Sequence, residues 1–93
     1  MDRVEAARLL HLEMVERSGR PHAELASLVG EILAYEVRGD DGIRYQVELE
    51  GHWVEGPGGP IGVLAGIDDG TLHGAFRPVT DGFVKGPDEV VRD

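Results

Sequence analysis

The chain has 93 residues, no cysteine and a formal net charge of -9. That length supports one small domain, whose core must form without disulfide staples or thiolate zinc ligands. The acidic surface repels phosphate backbones and anionic headgroups, so nucleic acid and membrane surfaces are poor partners and a basic protein is a better one.

Asp2, Glu5 and Glu13 interrupt the beginning of the chain, which therefore lacks the apolar centre of a signal peptide. No apolar run approaches the roughly 20 residues of a membrane span. A cytoplasmic location is the expectation. Arginine outnumbers lysine eight to one, asparagine is absent, and Gln46 is the only glutamine. GC-rich bacterial coding DNA produces that bias.

The first element is an amphipathic helix over residues 3–17. Asp2 stands at the N-cap, and Glu5 three residues later completes the spacing of a capping box. Val4, Ala7, Leu10, His11 and Met14 recur near the helical period, with Leu9, Leu12 and Val15 widening the face. Gly19 fits just past the end, and Pro21 stops simple continuation. Residues 20–30 read as a short second helix opened by Pro21, with Leu25, Leu28 and Val29 inward and Gly30 closing it. A loop packed on the first helix is the other reading.

The pattern then changes to a period of two. Leu33, Tyr35 and Val37 alternate with Ala34, Glu36 and Arg38. Ile43, Tyr45, Val47, Leu49 and Trp53 alternate with Arg44, Gln46, Glu48, Glu50 and His52, so residues 43–53 are the expected central strand. Asp40-Asp41-Gly42 fits a three-residue hairpin loop with glycine at its left-handed position. That loop pairs Val37 with Tyr45, Tyr35 with Val47 and Leu33 with Leu49, and it sets Arg38 opposite Arg44. Glu-Gly-Pro-Gly-Gly-Pro at 55–60 is a turn, and residues 61–67 are the third strand. Setting Glu55 opposite Ile61 brings Trp53 to Val63 and Leu49 to Ile67. Asp68-Asp69-Gly70 repeats the first turn's chemistry and leads into a fourth strand at 71–77. A short extended piece around Phe83 precedes a charged tail.

The expected fold class is α+β: an N-terminal amphipathic helix, with a short second one, packed on a four-stranded antiparallel β-meander in two layers. It forms a single domain over 1–93, helical over 2–29 and sheet over 31–79, with loop and tail over 80–93.

Carrying the strand alternation across the sheet gathers Ile32, Ala34, Val54, Leu64, Leu72 and Phe76 on the face away from the helix. A contiguous apolar patch of that kind marks a contact surface. One helix cannot cover both sides of a sheet, so this face is expected to be the interface of a homodimer.

The same face carries a second candidate. Glu48, Glu50 and His52 follow one another at two-residue spacing, beside Trp53. Imidazole and carboxylate together suit a metal ion or an oriented base, although ligands roughly 7 Å apart along a strand need help from neighbours such as His73 or His11. The solvated-face reading is the plainer one. Asp40, Asp41, Asp68 and Asp69 fall in turns at one end of the meander, where a negative lip could hold Ca2+ or dock a basic partner. Aspartate is also an ordinary turn residue.

Nucleophilic and phosphate-binding motifs are lacking. Ser18 and Ser27 sit in no Gly-x-Ser-x-Gly elbow, and the glycine-rich run at 56–60 is followed by no Gly-Lys-Ser/Thr. No cofactor and no catalytic residue are expected. The sequence points to a non-enzymatic, self-associating interaction module that takes a basic protein partner. A small-molecule or metal site centred on His52 is the alternative.

Overall fold

The computed structural model describes residues 2–70 and 78–92. Its elements are α1 (Arg3–Ser18), α2 (His22–Ala26), β1 (Ile32–Arg38), β2 (Arg44–Trp53), β3 (Ile61–Asp68), β4 (Val79–Lys85) and β5 (Val91–Arg92). The strands form one antiparallel sheet in the order β1-β2-β3-β4-β5. The fold class is α+β, with α1 over β3 and β4 and α2 against β2 and β3. None of the described helices is long and apolar enough to cross a membrane.

The first helix starts where the cap predicts. One Asp2 carboxylate oxygen accepts from the Val4 and Glu5 amides at 3.0 and 3.1 Å. Glu5 does not close a capping box. Its carboxylate instead accepts from the Asp40 amide at 2.8 Å and from Arg8, which ties the first hairpin turn to the helix. The buried stripe is Ala6, Leu9, Leu10 and Met14. Val4, Leu12 and Val15 are exposed, so the packed face is narrower than the periodicity suggests. Within 20–30 only His22–Ala26 form a helix, capped at Ser27; its Leu25 is buried, and Leu28, Val29 and Gly30 lie beyond its end.

The first hairpin has the expected register: Leu33 faces Leu49, Tyr35 faces Val47, Val37 faces Tyr45, and Arg38 faces Arg44. Gly42 takes a φ of 81°, which its lack of a Cβ permits, and the Gly39 amide donates to the Ile43 carbonyl at 2.9 Å. The second hairpin is shifted by two residues. Trp53, not Glu55, faces Ile61, and Leu49 faces Ala65. Pro57 and Gly58 (φ 85°) build a type II turn closed by a Gly59 amide to Gly56 carbonyl bond, and the Val54 amide reaches the Pro60 carbonyl. The turn consumes more residues than a simple hairpin loop does. An even shift leaves every side chain on its expected face.

Among the described residues the sheet has five strands, where four were expected. β3 pairs with Val79–Lys85, and the chain turns again to pair Val84 with Arg92. The extended piece expected around Phe83 is therefore a paired strand, and the residues after it, through Arg92, close a hairpin where a tail was expected. Val79, Asp81, Phe83 and Lys85 alternate onto the helix side, where Phe83 and Lys85 are buried. The Gly86 amide closes the last hairpin on the Val90 carbonyl. The predicted strand at 71–77, with Leu72, His73 and Phe76, lies outside the described residues.

The core lies between the helices and the inner sheet face. Tyr45, Val47, Leu49, Ile61 and Ile67 are fully buried there, and Leu10 and Leu25 reach them from the helices. Burying such a side chain stabilises the fold by roughly 1.5–3 kcal/mol each.

Candidate functional site

Among the described residues nothing is laid across the outer sheet face, where Ile32 and Leu64 are exposed. Cross-strand register sets Ile32, Glu50, Leu64 and Gly82 in one row, and Ala34, Glu48, Gly66 and Thr80 in the next. Ile32 is 68% and Leu64 51% exposed. They stand two strands apart, roughly 10 Å, with Glu50 between them. A groove of about 390 Å3 runs over these rows, lined by Ile32, Glu48, Glu50, Leu64, Asp68 and Thr80 among others.

Glycines shape this face. A Cβ on Gly62 would fall 2.4 Å from the His52 ring, which lies across it. A Cβ on Gly82 would fall 2.7 Å from the Val63 carbonyl oxygen and 3.4 Å from Leu64, which leans over it. Leu64 and His52 are therefore laid along the neighbouring strands, and the space over Gly66 stays open.

Of the residues expected to bind, Glu48, Glu50 and His52 do share this face. Among the described residues none of the three side chains has a hydrogen-bond or ion-pair partner. Trp53 belongs to the other side: it is half-buried, its ring centroid 6.0 Å from that of His22. Of the interface candidates, Ile32, Ala34 and Leu64 share the face. Val54 is exposed just beyond the end of β2, and Leu72 and Phe76 lie outside the described residues.

The four turn aspartates do not converge. Asp40 meets Arg8 at 3.2 Å. Asp41 accepts from the Ile43 amide and, at 2.9 Å, from the buried Tyr45 hydroxyl, on the helix side. Asp68 lines the outer groove and accepts from the Gly70 amide at 2.7 Å. Asp69 follows it in the same turn. Asp40 and Asp41 thus serve the helix side and Asp68 the outer groove. Among the described residues no group of three or more histidines, aspartates or glutamates is placed to hold a metal ion.

Among the described residues the buried Arg17 Nε has no hydrogen-bond partner, with Glu16 3.8 Å away, whereas Lys85 is fully engaged. Lys85, 5% exposed, donates from Nζ to the Ser18 and Arg20 carbonyls at 3.0 and 2.6 Å and so caps the C-terminal end of α1. Glu89 sits 3.7 Å from Lys85 and accepts from the His22 amide at 2.9 Å, with a φ of 67°. The His22 ring reaches the Gly59 carbonyl at 2.7 Å. Sequence reading missed this network, whose signal is a lysine at an inward position two residues after Phe83. The Tyr45 and Tyr35 hydroxyls are both pushed up to about 12, first by burial and then by donating to the carboxylates of Asp41 and Glu13. The Arg8 guanidinium and the Asp40 amide hold Glu5 below the ordinary carboxylate value.

Comparison with protein-family models, curated proteins and solved structures finds no match for this chain.

Proposed function

We propose that the chain is a non-enzymatic interaction module whose outer sheet face receives a basic segment of a partner protein. The observation that carries this reading is the pair Glu48 and Glu50: two unpartnered carboxylates in the floor of a groove flanked by exposed Ile32 and Leu64. An arginine or lysine laid across that floor meets charge at its tip and apolar surface along its stem. The net charge of -9 draws such a partner from a distance. Charge argues against a second copy seated on the same face, because Glu36, Glu48, Glu50 and Asp68 would meet their own kind, with Arg38 and Arg44 at one end to answer them.

The test is titration of labelled ten-residue peptides at two salt concentrations. One alternates arginine with leucine, and the other alternates glutamate with leucine. The reading expects binding of the first only, weakened by salt and by the double change Glu48→Gln, Glu50→Gln. Equal binding of both peptides, or none at millimolar concentration, overturns it. Self-association abolished by Leu64→Asp would instead make a second copy the occupant.

A further inference from the structure

The sheet has a second unsatisfied surface, the free edge of β1. β1 is a terminal strand and pairs with β2 alone. The bond from the Gly39 amide to Ile43 sets the ladder's phase, so Leu33, Tyr35 and Val37 exchange bonds with β2. Ile32, Ala34, Glu36 and Arg38 then aim their amides and carbonyls outward, and among the described residues nothing pairs with them. β1 contains neither proline nor lysine, and its charges are one of each sign, Glu36 and Arg38.

Side-chain burial points the same way. Leu33, Tyr35 and Val37 face the core yet are only partly buried, while Leu49, Val47 and Tyr45 opposite them are at 0%. α1 packs mainly over β3 and β4 and reaches β1 at Tyr35, whose hydroxyl donates to Glu13 at 2.6 Å and whose ring lies under the Arg17 guanidinium, so Leu33 and Val37 flank a contact that already fixes Tyr35.

We infer that β1 pairs antiparallel with β1 of a second copy, joining two sheets into one across a two-fold axis at Tyr35. The sequence of β1 matches itself in that register. Ala34 falls opposite Glu36 of the second copy and Ile32 opposite Arg38 of the second copy, and these outward-aimed residues exchange about eight hydrogen bonds. On the core side Leu33 falls opposite Val37 of the second copy, and the two Tyr35 rings meet. Centring the axis at Glu36 would set two glutamates face to face, and centring it at Ala34 would leave Val37 and Arg38 outside the strand pairing. The occupant is thus a second copy, and the interface is isologous.

The experiment is sedimentation equilibrium on the full chain from low to high micromolar concentration. Ala34→Pro removes a donor on the open side only and abolishes the dimer, while the thermal melt of a dilute sample shows the fold retained. Two further variants read the register. Ala34→Glu faces Glu36 of the second copy and weakens the dimer, and Ala34→Lys faces the same carboxylate and strengthens it, each by roughly fivefold at low salt. Leu64→Asp, on the outer face, leaves the oligomeric state unchanged. A chain monomeric at several hundred micromolar, or a dimer indifferent to Ala34→Pro, overturns the pairing, as does a dimer lost on Leu64→Asp alone. Peptide binding at the groove is scored separately, so failure there leaves this result standing.

Discussion

Replacing Lys85 with methionine keeps most of the unbranched stem and removes the amine that caps the C-terminal end of α1. In the native chain Nζ donates to the Ser18 and Arg20 carbonyls at 3.0 and 2.6 Å from a site only 5% exposed. Each bond from a charged donor is worth roughly 1.5–3 kcal/mol, and the favourable field of a cation at a helix C-terminus adds about 0.3–1 kcal/mol. Burying an ammonium costs several kcal/mol, which the variant recovers. The half-buried Ser18 and Arg20 lose the donor to their carbonyls and regain water only in part, so the difference falls at about 2 kcal/mol of lost stability. For a domain of this size that lowers Tm by about 8–16 °C. Urea unfolding at pH 7, followed by Trp53 fluorescence and far-ultraviolet circular dichroism, measures it, with exposed Arg92→Met as the control. A Lys85→Met chain as stable as the native one would refute the argument, because the buried amine would then cost as much as it contributes.

Three other outcomes are expected. Asp2→Ala removes the cap of α1 and costs about 1 kcal/mol, read by urea unfolding; a change indistinguishable from zero would mean that the first turn frays in the native chain. Gly82→Ala drives a Cβ against the Val63 carbonyl and costs about 1–3 kcal/mol, whereas Gly62→Ala meets only the movable His52 ring and costs well under about 1 kcal/mol; the reverse order in thermal melts would contradict the packing of the outer face. Tyr35 and Tyr45 hold their protons up to about 12 when folded, against 10.0 ordinarily, so folded chains bind protons that unfolded chains release between those values. Stability is therefore full below pH 10 and falls as pH rises towards 12. Absorbance titration showing both phenols ionising near pH 10 in a folded sample would rule this out.

The first hairpin was legible because two signals agreed. The alternation of Leu33, Tyr35 and Val37 with the run through Leu49 fixes faces, and Gly42 fixes the loop, so only one register satisfies both. The second hairpin had the faces but not the loop. Pro57 and Gly58 close a turn inside a longer connection, whose length composition alone does not reveal. β4 was legible only as a short extended piece around Phe83, because Asp81 and Lys85 occupy helix-side positions, where a strand reading expects apolar residues. Lys85 is tolerated there because α1 ends against it, a contact between residues 67 positions apart. The candidate face shows the same division. That Glu48, Glu50 and His52 share a side follows from spacing along one strand. The groove depends on Gly62, Gly66 and Gly82 lying beside Glu48, Leu64 and His52 on other strands, and so on the register.

The Lys85 contact has a consequence for biosynthesis. The carbonyls it serves emerge from the ribosome 65 and 67 residues before the amine does. Glu89, which holds the start of α2, emerges as late. Vectorial synthesis therefore exposes an N-terminal segment whose closing contacts have yet to be made, and stable tertiary structure must await the final hairpin. A nascent chain halted after β3 should remain protease-sensitive throughout its helical part, and release of the last strands should protect it in a single step.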